Sequence, residues 1–147
     1  MIEIKRLRME EQILEMMFPN RYVFVGIGTA SPYVDVGLRS NSGNAYRIRI
    51  MLPLDYPNSL PKVLLTYPQP LYMYDGRNFL DIKTGDDMHK MHVLSPNEGF
   101  IQLCHYKNEN WHPNVTIYRV ALKARIWIEA YEGHKRTGQP IDHFLHS

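Results

Sequence analysis

The single cysteine, Cys104, is the first residue in this chain at which chemistry can be sought. It lies in the segment 100–106, Phe-Ile-Gln-Leu-Cys-His-Tyr. If this segment is extended, Ile101 and Leu103 point to one face and Cys104 to the other. Two aliphatic side chains indicate the core side, so we expect Cys104 to face outward, where its thiolate could act as a nucleophile. The alternative is that the cysteine is a small buried hydrophobe.

Seven histidines are the other residues that could take part in chemistry. A cysteine nucleophile of the protease type needs a histidine base held by a third group, but spacing alone does not place a histidine beside the sulfur. A metal site would need a second cysteine or a carboxylate motif with ligand spacing. Neither accompanies the pair His89 and His92, or the C-terminal histidines His134, His143 and His146. We therefore expect no metal and no cofactor.

Composition restricts the class of protein. The 147 residues are 44% hydrophobic and 22% charged, which is typical of a soluble globular protein. A net charge of +2 is too small to indicate nucleic acid or an anionic membrane as the main partner. No apolar run approaches the roughly 20 residues of a membrane span, and the N-terminus is too charged for a signal peptide. We expect one cytoplasmic domain over residues 1–147, in a reducing compartment.

The elements that must position Cys104 begin with a helix over residues 2–18. Its apolar positions recur at helical spacing, and Pro19 ends it; they are Leu7, Ile13, Leu14, Met17 and Phe18. A four-stranded antiparallel meander is predicted next. Its strands are placed at about 22–28, 33–39, 45–52 and 62–67.

The segment after the meander is predicted to be irregular, because seven of the ten prolines lie between Pro53 and Pro113. Residues 75–92 are expected to form a loop with one short strand. A long C-terminal helix follows, with Thr116 as its N-cap and Gly133 as its end. Its apolar positions keep helical spacing: Ile117, Val120, Ala121, Ala124, Trp127, Ile128 and Tyr131. The order predicts an α+β fold with helices against one face of the sheet.

Two segments resemble the ubiquitin-conjugating enzyme family. Residues 52–63, here called the proline turn, follow the family's Pro-x-Asp-Tyr-Pro stretch that continues to Pro-Lys-Val. Residues 99–116 contain a glycine, the cysteine, a Trp-x-Pro and a helix-opening threonine in the family's order. The closing stretch, 127–140, looks more like bacterial members. The resemblance covers most of the chain and implies the ubiquitin-conjugating fold.

The chain departs from the family pattern around the cysteine. The interval from Gly99 to Cys104 is longer than usual, His105 stands where the family has leucine, and the His-Pro-Asn tripeptide is absent. Counting back from the glycine puts His92 in its place, whereas counting back from the cysteine favours Asn97. We take Asn97 as the functional candidate and His92 as a structural one, and the choice stays open. The later helices of many relatives are missing or replaced by residues 139–146.

The resemblance implies an acyl-transfer enzyme. Cys104 would receive a ubiquitin-like protein as a thioester from an activating enzyme, and a lysine of a target protein or a ligase cysteine would then attack. An amide such as Asn97 could stabilise the oxyanion, and losing one such donor typically costs about 2.7–4 kcal/mol of barrier. No general base beside the resting cysteine is required, because the incoming thioester is already activated.

The resemblance also implies partner surfaces. The basic face of the first helix, with Lys5, Arg6 and Arg8, would meet the activating enzyme, although such a charge run is commonly a solvated helix face. Asn58 in the proline turn and Trp111 would lie in ligase-facing loops. The alternative for Trp111 is that it forms a lid that packs on the long C-terminal helix. The competing function is a catalytically inactive scaffold of the same fold that binds a ubiquitin-like protein or partner enzyme non-covalently.

Overall fold

The computed structural model describes residues 1–145, so His146 lies outside the described part of the chain. The four helices are α1 (Ile4–Met17), α2 (Gly85–Met91), α3 (Ile117–Thr137) and α4 (Ile141–Leu145). The six strands are β1 (Tyr22–Val25), β2 (Tyr33–Arg39), β3 (Ala45–Met51), β4 (Lys62–Tyr67), β5 (Val93–Asn97) and β6 (Phe100–Leu103). The fold is α+β, as predicted, with a helix at each end of the sequence and an antiparallel sheet between them.

The sheet has six strands in the order β1-β2-β3-β4-β6-β5, so the prediction of four strands was wrong. The predicted meander forms β1 to β4, and β6 then pairs with β4 while β5 occupies the outer edge. Sequence pattern misses β5 because it contains Ser95 and Pro96, which are poor strand formers. The edge position tolerates Pro96, and the register slips between Leu94 and Asn97 at a bulge.

A tight turn joins β5 to β6. Glu98 and Gly99, the two residues between the paired Asn97 and Phe100, have φ angles of 55° and 79°. Two successive positive φ angles are the signature of the hairpin turn whose twist matches the flanking strands. The turn fixes the register in which β6 returns toward Cys104.

The core lies between the sheet and α3. The third strand alternates as predicted, with Tyr46, Ile48 and Ile50 buried and Arg47 exposed. Helix α3 packs on β2 and β3, and α1 packs on α3. No helix within residues 1–145 has the length and apolar character needed to cross a membrane.

Helix α2 occupies seven of the eighteen residues 75–92, which were predicted to form a loop with one short strand. The Thr84 side chain caps it by accepting a hydrogen bond from the backbone N–H of Asp87, and two aspartates occupy its first turn. His92 ends it in the left-handed conformation, with φ of 50° and ψ of 48°. The helix is short and rich in Gly and Asp, so its sequence is also typical of a loop.

Helix α3 begins at the predicted cap, where the Thr116 hydroxyl accepts from the N–H of Arg119, but it does not end at Gly133. It continues to Gly138, whose φ of 78° closes it. Gly133 lies inside the helix because the Phe144 ring packs on it. A Cβ at Gly133 would come within 2.8 Å of that ring.

A buried carboxylate joins the first helix to the rest of the fold. Glu10 is completely buried, and it accepts hydrogen bonds from Arg6 Nε at 2.9 Å and from the Tyr56 hydroxyl at 2.5 Å. Tyr56 itself is 2% exposed and covers the core. Burial and the Glu10 carboxylate raise the pKa of the Tyr56 hydroxyl. Helix α1 and the proline turn are therefore held together by polar as well as apolar contacts.

Candidate active site

Cys104 follows the last residue of β6 and is half-buried. Ile101 and Leu103 point into the core, as predicted, and the cysteine lies on the other face. Its backbone N–H donates to the carbonyl of His92 at 2.9 Å, which extends the β5–β6 ladder by one pair. Cys104 and His92 are thus directly opposite each other at the end of the hairpin.

The cysteine lines an open groove of about 640 Å³, here called the Cys104 groove. Its walls come from α2, from the start of β5, from the segment after β6 and from α3. They are Gly85, Met88, His89, His92, Val93, Leu94, Ser95, Cys104, His105, Tyr106, Lys107, Asn110 and Lys123. Within the described residues this lining contains two lysines and three histidines, and no carboxylate. The groove is therefore a basic cleft with a thiol in its wall.

Burial raises the pKa of the Cys104 thiol above its ordinary value, because the partly desolvated thiolate is disfavoured. The Lys107 ammonium opposes this effect by stabilising the anion. The resting thiol is consequently protonated near neutral pH, unlike the low-pKa cysteines of proteases and redox enzymes.

His92 forms a hydrogen bond with Asp142 that sequence reasoning did not find. Its Nε2 lies 2.5 Å from Oδ1 of Asp142, and about a quarter of each side chain is exposed. Asp142 is in α4, which packs against α2 and α3 and so brings the carboxylate beside the histidine. The two residues are 50 positions apart, and no local motif announces their contact.

Asn97, the other candidate from the family tripeptide, lies at the opposite end of the hairpin. It pairs with Phe100, which is four residues before Cys104, or about 13 Å at roughly 3.3 Å per residue. It is not among the residues that line the Cys104 groove. Of the two alternatives, the structure brings His92 to Cys104 and leaves Asn97 at the turn.

His105 follows Cys104 and lines the same groove, but its surroundings make it a poor base. Both ring nitrogens are buried and have no well-formed hydrogen bond within residues 1–145. Desolvation lowers the pKa of His105 from 6.5 to about 4, and the nearby carbonyls of Leu103 and Pro61 offset this only in part. His105 is therefore neutral and a very weak base at physiological pH.

The predicted docking residues fall into two groups. Lys5 and Arg8 are exposed on α1. Arg6 is instead bound within the molecule, where its guanidinium donates to Glu10 and to the carbonyls of Pro113 and Val115 at 2.6 and 2.9 Å. A partner approaching α1 would meet Lys5 and Arg8 with free side-chain surface, whereas Arg6 holds α1 to the loop before α3.

Trp111 packs on the proline turn. Its indole N–H donates to the Pro57 carbonyl at 2.8 Å, and Asn58 is exposed next to that carbonyl. The Trp111 ring also contacts Tyr56 and Tyr106, with centroids 6.4 and 5.8 Å away. Because Tyr106 lines the Cys104 groove, the two predicted ligase-facing loops are in contact with each other and with the groove wall.

Within residues 1–145, no three His, Cys, Asp or Glu side chains come together in a metal-binding arrangement. Comparisons of the chain with protein-family models, with curated proteins and with solved structures find no match.

Proposed function

We propose that this chain is the carrier enzyme of a bacterial ubiquitin-like conjugation pathway and that it acts in the cytoplasm. It accepts a ubiquitin-like protein as a thioester on Cys104 from an activating enzyme and passes it to an amine of a target protein. The observation that supports this most is the position of Cys104, half-buried in the wall of an open groove at the end of a hairpin. The groove volume of about 640 Å³ is within the range of pockets that hold small ligands, so it can take up the few residues at the end of a modifier chain.

The arrangement of elements supports a ubiquitin-conjugating fold for the chain. A helix, a meander, the proline turn, a cysteine-bearing segment and a long helix follow one another in the order that the motifs imply. The contacts between Trp111, Tyr56 and Pro57 join the two segments that carry the resemblance. This contact gives both motifs a shared structural role.

The raised thiol pKa is compatible with a carrier. The acyl group arrives as a thioester, so the exchange is close to balanced and does not need a strongly activated nucleophile. A thiolate of higher pKa is also intrinsically more nucleophilic once it forms. A protonated resting thiol, in turn, reacts slowly with adventitious electrophiles.

The test is formation of a covalent adduct. The purified chain is incubated with ATP and with a candidate ubiquitin-like protein and activating enzyme taken from the genes that adjoin its own. We expect an adduct on a non-reducing gel that thiol reductant removes. The Cys104→Ser variant should give a reductant-stable oxyester or no adduct, and Cys104→Ala should give none.

Two exposed leucines provide a matched test of the groove. Leu94 lines the Cys104 groove and is 45% exposed, whereas Leu54 is 48% exposed and lies in the proline turn outside it. We expect Leu94→Arg to slow adduct formation, because the arginine narrows the groove, and Leu54→Arg to leave the loading step near the wild-type rate.

Failure to form any adduct with a verified pair of partners would reject the carrier function. In that case, binding of the unconjugated modifier or of the activating enzyme, measured by calorimetry, would support the scaffold function instead.

A further inference from the structure

Transfer from a Cys104 thioester to an amine requires an acceptor for one proton. The neutral form of the lysine amine is the one that attacks, and its nitrogen must then lose one proton before the new amide is stable. Within the described residues, no carboxylate lines the Cys104 groove. The candidate acceptors in the groove wall are therefore its histidines.

Of the three histidines in the wall, two are poorly suited to this role. His105 has a pKa of about 4 and buried ring nitrogens, so it holds a proton too weakly. His89 is exposed on α2 and stacks on His92, with ring centroids 5.9 Å apart, but no side chain of residues 1–145 is hydrogen-bonded to it. His92 is the histidine that is both directly opposite Cys104 and held by a carboxylate.

The bond to Asp142 determines which nitrogen of His92 can act. A neutral imidazole has one N–H and one basic nitrogen, and a carboxylate accepts only from the N–H. With Asp142 at Nε2, the proton is on Nε2 and the lone pair is on Nδ1. No residue of 1–145 donates to Nδ1 with hydrogen-bond geometry, so this nitrogen can receive a proton from a ligand in the groove.

Resting on the proposed carrier function, we propose that His92 takes the proton from the amine that attacks the Cys104 thioester, and that Asp142 is the residue that positions it. The nitrogen of the amine bonds to the thioester carbonyl carbon, and its proton moves to Nδ1 of His92. The C–S bond then breaks, the electron pair leaves on the Cys104 sulfur, and the proton on Nδ1 passes to that sulfur. The products are an amide and the free thiol.

The raised pKa of Cys104 makes the last proton transfer useful. A thiolate that is poorly stabilised is also a poor leaving group, and a proton supplied by imidazolium removes that charge. Within residues 1–145, the charged or titratable groups that contact His92 or line the groove with it are Asp142 on α4, His89 on α2, Cys104, His105, Tyr106 and Lys107 after β6, and Lys123 on α3.

The test separates loading from transfer by using a small acyl donor. The mercaptoethanesulfonate thioester of acetyl-glycylglycine is exchanged onto the chain, whose one cysteine makes the adduct unambiguous by mass. After the donor is removed, loss of the adduct is followed with and without Nα-acetyl-lysine at pH values between about 5.5 and 9. This interval covers the titration of imidazoles and the beginning of the titration of amines.

We expect His92→Asn to lower the rate of aminolysis about 100-fold, the effect typical of a lost proton acceptor, and to flatten the pH profile between about pH 5 and 8. Asparagine tolerates the left-handed backbone, so the turn is preserved. Asp142→Asn should have a similar effect, because its amide favours the tautomer that cannot accept at Nδ1. Asp142→Glu should restore most of the rate. The controls His143→Gln and Asp86→Asn, both exposed, should stay within about twofold.

Three results would overturn the proposal, and they differ in what they mean for the carrier function. If His92→Asn and Asp142→Asn load normally and aminolyse at the wild-type rate, the pair has no role in transfer and the carrier function stands. If they slow attack by water but not by the amine, the pair serves hydrolysis. If the wild-type chain does not take up the acyl group at Cys104, the carrier function fails and the role of His92 fails with it.

Discussion

Oε1 of Glu10 accepts a hydrogen bond of 2.9 Å from the backbone N–H of Ile117, the first residue of α3. The first N–H groups of a helix have no partner within it, and the helix dipole favours a negative charge there. The other oxygen of Glu10 accepts from Arg6 and Tyr56. One carboxylate therefore links α1, the proline turn and the helix that covers the sheet.

Replacing this carboxylate should destabilise the fold. We expect Glu10→Ala to lower the free energy of unfolding by about 3–5 kcal/mol, because it leaves the buried Tyr56 hydroxyl and the Ile117 N–H without their acceptor and removes the carboxylate that faces the partly buried Arg6. The measurement is urea denaturation at pH 7. Glu11→Ala removes an exposed carboxylate from the same helix and should cost no more than about 0.5 kcal/mol. A similar loss in both variants would show that Glu10 is not the link.

His105 should make stability depend on pH. Its pKa falls from 6.5 in a solvated chain to about 4 in the fold, so the unfolded chain binds the proton more tightly. The stabilisation is therefore complete above pH 6.5 and is lost as the pH falls toward 4, by about 3 kcal/mol in total. His105→Leu should remove this part of the decline in acid denaturation curves, whereas His112→Leu, at an exposed site, should retain it.

The reactivity of Cys104 tests its electrostatic environment. At pH 7 we expect iodoacetamide to alkylate Cys104 more slowly than a free cysteine, because burial raises its pKa and reduces the thiolate fraction. Lys107→Ala should slow the reaction further, by roughly twofold, since it removes a screened cation that stabilises the thiolate. Lys135→Ala, at an exposed position of α3, should not change the rate. Faster alkylation of the Lys107 variant would contradict this account.

For Asn97, the family resemblance and the structure lead to different expectations about the rate of transfer. From the resemblance, Asn97→Ala would slow transfer while loading stays intact. Its position at the hairpin turn, four strand residues from the level of Cys104, leads us to expect aminolysis within about twofold of wild type. The thioester assay with Nα-acetyl-lysine decides between them, because a large loss specific to transfer would place the Asn97 amide at the oxyanion.

The indole of Trp111 tests whether the two motif segments depend on each other. Trp111→Phe keeps a ring against Tyr56 and Tyr106 but loses the hydrogen bond to the Pro57 carbonyl. We expect a loss of about 1 kcal/mol in the free energy of unfolding, the usual net value of one hydrogen bond. Deuterium exchange should increase in the proline turn. Unchanged exchange there would show that the turn holds its shape without Trp111.

The elements that were predicted correctly are those whose burial follows a simple period. The meander alternates cleanly, as Tyr46, Ile48 and Ile50 show, and α3 repeats its apolar residues at helical spacing. Helix α2 and strand β5 were missed because seven and five residues give too little pattern, and because Pro96 and Gly85 are typical of loops. In these segments, pairing with distant parts of the chain decides the structure.

The candidate site was only partly accessible from sequence for the same reason. The two aliphatic residues before Cys104 favoured an outward orientation but left a buried cysteine as the alternative, and the structure makes the residue half-buried, on the face opposite Ile101 and Leu103. The burial of Glu10 and the pairing of His92 with Asp142 depend on helix packing. A charged residue in an amphipathic helix has the same neighbouring sequence whether its side chain is buried or solvated. The same is true of a histidine in a loop, so the local pattern does not show either contact.

The absence of a side chain at Gly133 affects how helix α4 packs against α3. The absent side chain leaves room for the Phe144 ring, and that ring and Asp142 belong to the same short helix. An alanine there would place its Cβ within 2.8 Å of the ring, so the phenyl group would have to leave its present position on α3. The missing methyl group thus permits the contact by which α4, the helix that carries Asp142, packs against α3.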